Sequence, residues 1–278
     1  MNQPNPLATK PSVVVEDDDR HVSMSNRLAR SAHGLNLAEK RLVALGLAQS
    51  DSSSAVRHLK ANANTGWLMR VRAMEYAEAF DIDVTTAYEQ LQAAADKLFD
   101  RYVRYEVPGR RGKPEEKKFR WVSSCRYAPG EGYVELNFSP EIAPHLAGLS
   151  KELTSYRLRQ AAAFDTVYAW RLFELIKSWE SVGAFTMKIE EFWEAMEAPP
   201  SCQKDFKALR IRVIEPSVEA IKAKCAMLVE WTPVRAGSRR VIGLEFRFSP
   251  DPQGRLDMDA AAATAQVEAG QTHGANPA

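Results

Sequence analysis

Two stretches far apart in the chain end alike. VELNFSP (Val134 to Pro140) and GLEFRFSP (Gly243 to Pro250) alternate apolar and polar residues and finish on Phe-Ser-Pro, with Glu135 matched by Glu245 and Phe138 by Phe248. Such alternation gives a strand with one buried face, and proline, lacking an N–H for the ladder, stops it. Upstream of each strand the same elements recur in the same order. RAMEYAEAF gives a short helix, DIDV a turn, and TTAYEQLQAAADKLFDR a longer helix whose Ala87, Leu91, Ala94 and Leu98 share one face. In the second set MKIEEFWEAME gives the short helix and APPS the turn. CQKDFKALRIRVIEPSVEAI (Cys202 to Ile221) is its longer helix, with Phe206, Leu209 and Val213 at steps of three and four. Even the short helices align, YAEAF on FWEAM, through Glu78 and Glu194.

Two helices about a short turn, then a strand pair, is the plan of a winged helix-turn-helix. The expected fold is therefore α+β: two tandem winged helix-turn-helix domains over residues 23–148 and 149–252. Each needs a scaffold helix. LNLAEKRLVALGLAQ supplies the first, with Asn36 and Glu39 at capping-box spacing, and FDTVYAWRLFELIKSWE the second, with Asp165 as its expected cap. Leu28, Leu35 and Leu42 fall at heptad spacing, but Gly34 interrupts them and no coiled coil is supported. Residues 1–22, with prolines and the run EDDD, and residues 253–278, poor in large apolar side chains, are expected to be disordered tails.

Composition narrows the class. Hydrophobic residues make up 45% of the chain, enough for sizeable cores, and no apolar run is long enough to span a bilayer. The first residues lack the basic start and apolar stretch of a secretory signal, so a cytoplasmic location is expected. Cys125, Cys202 and Cys225 are widely separated and form no zinc or disulfide pattern. GRRGKP lacks the glycine, lysine and hydroxyl order that cradles nucleotide phosphates, and His21, His33, His58, His145 and His273 stand singly. No enzyme, cofactor or metal site is indicated.

Charge is informative only locally, because the formal net charge is +1. On the second long helix, at about 100° per residue, Lys204 and Lys207 lie opposite the apolar stripe of Phe206, Leu209 and Val213, and Arg210 and Arg212 flank it. Lys204, Lys207 and Arg210 are thereby placed for a major groove, where basic side chains reach guanine or hold phosphates. Asp205 either accepts from a cytosine amino group or orients a basic neighbour. Pro216, without an N–H, is expected to end or bend the helix. Each copy also offers a basic wing: Arg110, Arg111, Lys113, Lys117 and Lys118 in YVRYEVPGRRGKPEEKKFRWVSSC, and Arg235, Arg239 and Arg240 in the shorter loop PVRAGSRR. A solvated basic helix and solvated hairpins are the alternative reading of all these residues.

These residues resemble a family. SNRLARSAHGLNLAEKR, through Ser25, Asn26, Leu28, Ala32, Leu35, Lys40 and Arg41, then Tyr76, Phe80, Tyr88 and Leu91, then KDFKALRIRVI, stand in the order found in iteron-binding plasmid replication initiators. That Rep superfamily is built from two winged-helix domains. Lysine stands at Lys204 and Lys207 where some members carry arginine, exchanging a fork of donors for a point charge. The resemblance implies a protein that binds double-stranded DNA at direct repeats of a plasmid origin and makes no bonds. It implies melting of adjacent A+T-rich DNA, recruitment of the host initiator and replicative helicase, and a monomer in equilibrium with a homodimer that represses its own promoter. It also implies base reading by Lys204, Asp205, Lys207, Arg210 and Arg212, with weaker backbone contacts from Thr85, Thr86 and the wings. Two rivals stay open: a duplicated winged-helix repressor without a replication role, and a protein-interaction adaptor.

Overall fold

The computed structural model describes residues 20–50, 59, 66–110, 113–128, 130–147, 152–237 and 240–254. The chain enters through strand β1 (His21–Ser25), so His21 and Val22 belong to the folded body and not to a tail; Val22 is fully buried. Most of both expected tails lies outside the described residues. Ser25 caps the short α1 (Asn26–Ala29), accepting from the Leu28 N–H. The capping box expected from Asn36 and Glu39 opens α2 (Leu37–Gln49).

β2 (Trp67–Arg72) alternates buried Trp67, Met69 and Val71 with exposed Leu68, Arg70 and Arg72. It leads into α3 (Ala73–Phe80) and α4 (Val84–Leu98), the expected helix pair. Between them Asp81 takes the left-handed conformation, φ 48°. Next come β3 (Tyr102–Pro108), β4 (Pro114–Arg120), β5 (Val122–Ala128), β6 (Tyr133–Phe138) and the short α5 (Ala143–Leu146). Phe-Ser-Pro strand β6 pairs with both β2 and β5 in an antiparallel sheet of order β2-β6-β5.

The second module repeats this arrangement. β7 (Leu153–Arg157), α6 (Leu158–Ala162) and α7 (Val167–Lys177) precede β8 (Ala184–Lys188) and α8 (Ile189–Met196). Thr166, not Asp165, caps α7 by accepting from the Ala169 N–H, while the Asp165 carboxylate pairs with Lys224. Glu197 turns with φ 50°, the counterpart of Asp81. α9 (Pro200–Lys204), α10 (Phe206–Leu209), a π-helical turn (Arg210–Ile214) and α11 (Glu215–Cys225) follow. β9 (Met227–Ala236) and β10 (Arg240–Pro250) complete a sheet of order β8-β10-β9, with the second Phe-Ser-Pro strand again in the centre.

The modules share one core. β1 pairs antiparallel with β7, setting Val22 against Tyr156 across the expected border between the halves. Leu28, Leu35 and Leu42 are buried in this common core from α1, a loop and α2, which accounts for their spacing without a coiled coil. Inside it lies an ionic network. Lys40 on α2 meets Glu174 on α7 at 2.6 Å, with side chains only 4% and 1% exposed. The other Glu174 oxygen accepts from the Tyr156 hydroxyl at 2.7 Å, and Tyr156 accepts from the Trp170 indole at 3.1 Å. Arg171 donates to the carbonyls of Ala195 and Ser31 and faces Glu197 at 3.4 Å, while Glu197 accepts from the Gly34 N–H. Glu39 holds Arg101 through two bonds of 2.8 and 2.9 Å.

His33 sits fully enclosed beside this network, 2.6 Å from the Leu28 carbonyl and 3.5 Å from the Lys40 ammonium. Those partners require Nε2–H to donate and Nδ1 to accept, which is the neutral ring. Burial, then the charges of Arg171 and Lys40, holds its pKa well below 6.5, and burial lowers that of His145 too. A histidine depressed in the folded state gains its proton only on unfolding, so stability falls as pH drops below about 6.5. Urea denaturation between pH 7.5 and 5 is expected to show this loss, at most about 1.4 kcal/mol per pH unit for each histidine, and His33→Gln is expected to flatten the profile.

Candidate nucleic-acid interface

The second long helix does not start where periodicity places it. Lys204 ends α9, and the chain breaks at Asp205, φ −131° and ψ 106°. The Asp205 carboxylate accepts from the Lys207 N–H at 2.9 Å, so the residue expected to contact a base or orient a neighbour caps the helix that begins at Phe206. Pro216 does not end that helix. The Glu215 N–H donates to the Arg210 carbonyl, five residues back, and the backbone runs on in helical conformation to Cys225. In an unbroken α-helix Pro216 would collide with the Arg212 carbonyl; the wider turn immediately before it makes room.

This wider turn also changes the phase of the helix, because each of its residues advances less than about 100°. Val213 and Ile214 both become fully buried, Leu209 stays fully buried, and the opposite face is left to Lys207, Arg210, Arg212 and Ile211, all exposed. Arg210 lies 3.5 Å from Glu215, a pair about half exposed at both ends and therefore weak. Lys204 is exposed on the neighbouring helix.

Helix and wing meet at a recess. Lys204, Arg235 and Arg240 line it together with Trp193 and Phe206, around a volume of about 320 Å³. Phe206 packs edge-on to Trp231 of β9 and so ties the start of the helix to the wing. Arg239 falls outside the described residues.

The first module is built differently. Asp83 caps α4 by accepting from the N–H groups of Thr85 and Thr86 at 2.8 and 3.0 Å, and its carboxyl is held below the ordinary value, first by the Thr86 bond. Both threonines are exposed, but the rest of the exposed face carries Glu89 and Asp96 against Lys97. Positive charge lies instead on the β3–β4 hairpin, where Arg104 pairs across from Lys118 and Arg110, Lys113 and Lys117 are exposed. The Lys118 ammonium stands 4.1 Å over the Tyr102 ring. Loop composition alone equates this hairpin with the second wing, and the sheet order corrects it. Since β6 and β10 are the central strands, the counterpart of β9–β10 is β5–β6, with Glu131 in its turn, and the basic β3–β4 hairpin is an addition peculiar to the first module. Arg111 lies outside the described residues.

Paired winged helices, the second presenting an exposed row of cations, define a double winged-helix protein of the DNA-binding kind. Residues 21–177 match the family described as Initiator Replication protein, WH1, and residues 188–248 match Initiator Rep protein, WH2. The chain belongs to this family of Rep replication initiators with two winged-helix domains. It is 22% identical over 255 residues to the PI protein of Escherichia coli, covering 81% of each chain. It is 21% identical over 218 residues to an uncharacterized 27.6 kDa protein of Escherichia coli, covering 76% of this chain and 88% of that one. The crystal structure of Pi initiator protein in complex with iteron DNA shares the fold, with a TM-score of 0.59 and 20% identity, over 85% of this chain and all of that one.

Proposed function

We propose that this chain initiates plasmid replication by binding direct repeats at an origin, with its second module reading the sequence. The observation that carries this reading is the exposed cationic face of Lys207, Arg210 and Arg212, adjoined by Lys204, in a chain of net charge +1. These side chains would reach base edges and phosphates in a major groove, and Asp205 sets the helix start while its second oxygen stays available to a base or a basic neighbour. Arg235, Arg239 and Arg240 would hold phosphates beside it. Thr85, Thr86, Arg110, Arg111 and Lys113 would add weaker backbone contacts from the first module, where Glu89 and Asp96 disfavour close approach of α4 to a phosphate.

Bound at an origin, the chain would promote opening of adjacent A+T-rich DNA and recruit the host initiator and replicative helicase, with a homodimer acting as autorepressor. A test plasmid carrying this gene and its flanking DNA as sole origin is expected to replicate in a permissive host. Repression of a promoter in that DNA without replication would assign the repressor role instead.

A further inference from the structure

We infer that Ile211 reads the 5-methyl group of a thymine in the major groove, which deepens the DNA-binding reading above and rests on it. Ile211 is 47% exposed within the π-helical turn, between Arg210 and Arg212. Isolated exposed apolar residues are ordinary on protein surfaces. The position of this one is what matters. Lys207 precedes it by one turn on the same exposed side, Arg210 and Arg212 flank it, and Glu215 follows one turn later. The cations attract the phosphates on either side of a groove, whereas Glu215 and Glu219 repel them, so the DNA-facing part of the helix ends just beyond Arg212. Ile211 therefore lies within that part, near its C-terminal end, with a cation on either side of it in the chain.

Helical phase places it there, and the π-turn settles what lies behind it. Ile211, two residues and about 200° beyond buried Leu209, faces away from the core, and the slower advance that follows carries Val213 and Ile214 together back into it, although a β-branched side chain gains nothing as a helix former at an exposed position. An apolar group amid cations has one apolar counterpart in the major groove, the thymine methyl, which no other standard base carries.

The test uses the full chain and a duplex repeat it selects from a random library. Each thymine of that duplex is replaced in turn by deoxyuridine, which removes one methyl and leaves all hydrogen bonding intact. The chain is expected to bind about 3- to 10-fold more weakly when one or two adjacent positions are changed, the worth of one buried methyl. Ile211→Ala is expected to bind the unaltered repeat with a similar loss, to show no further loss on the uridine duplex, and to keep the salt dependence and thermal stability of the parent. Ile211→Val is expected to retain part of the discrimination. Uridine sensitivity unchanged in Ile211→Ala, or absent in the parent chain, overturns the inference while leaving DNA binding standing. Selection of no sequence at all overturns both.

Discussion

Glu174→Ala is expected to lower the unfolding free energy by about 3 to 5 kcal/mol, a large part of the roughly 5 to 15 kcal/mol that holds an ordinary domain folded. The carboxylate is the joint partner of the Lys40 ammonium and the Tyr156 hydroxyl, and all three groups are shut off from water. Burial pushes the Lys40 pKa down and the Glu174 charge pushes it back, while burial drives the Tyr156 hydroxyl well above its ordinary value. Without Glu174 the lysine must lose its proton or stay charged and unpaired, and the hydroxyl loses its acceptor. Replacing both ends, Lys40→Met with Glu174→Leu, is expected to recover most of the loss, because the desolvation penalty disappears with the charges. Urea denaturation of the parent and the two variants measures this directly. A Glu174→Ala loss under about 1 kcal/mol would mean that water reaches the network.

The second large effect belongs to the exposed helix face. Lys207→Ala combined with Arg210→Ala is expected to weaken binding to a cognate repeat by about 2 to 6 kcal/mol, since each base-reading side chain is worth about 1 to 3 kcal/mol. The unfolding free energy is expected to stay within about 0.5 kcal/mol of the parent, since Lys207 is exposed and the Arg210–Glu215 pair is half exposed. Fluorescence anisotropy on cognate and scrambled duplexes separates base reading from phosphate binding. Weakening confined to the cognate duplex assigns base reading, and equal weakening on both assigns phosphates. The matching change in the first module, Thr85→Ala with Thr86→Ala, is expected to cost far less, because its helix face carries Glu89 and Asp96 where the second carries cations.

Much of this architecture is legible in the chain itself. The duplicated Phe-Ser-Pro strands, the aligned YAEAF and FWEAM helices and the Asn36–Glu39 capping box are local signals, and each forms the element its pattern predicts. Features that depend on residues distant in sequence are not legible. Nothing near His21 announces that it will pair with Arg157, and nothing near Lys40 announces Glu174. Charged residues in an apolar helix read as a solvated face until the partner arrives from another module. Basic hairpin β3–β4 passes for a wing because loop composition, unlike sheet order, does not distinguish an insertion from a counterpart.

At the site, the exposure of Lys204, Lys207, Arg210 and Arg212 follows from helical phase, but the helix start and its course do not. Asp205 is a strong N-cap residue, and that signal outweighs the continuous periodicity from Cys202. Pro216 reads as a stop or a bend because proline usually makes one or the other; a π-turn just before it, with the helix running on, is the less common solution. Adjacent apolar residues Val213 and Ile214 are the available clue to the phase slip, since strict α periodicity buries the first and turns the second aside, whereas the outward position of Ile211 follows from that periodicity alone.

Holding duplex DNA by an exposed row of cations, and discriminating its sequence, is the role assigned to the second module. Affinity for the duplex repeat the full chain selects, measured against a scrambled duplex between about 50 and 300 mM salt, tests that role most directly. A log–log slope of about −0.9 for each phosphate neutralised is expected, with a repeat-over-scrambled preference that survives the rise in salt. A flat salt dependence with equal affinity for both duplexes would contradict it.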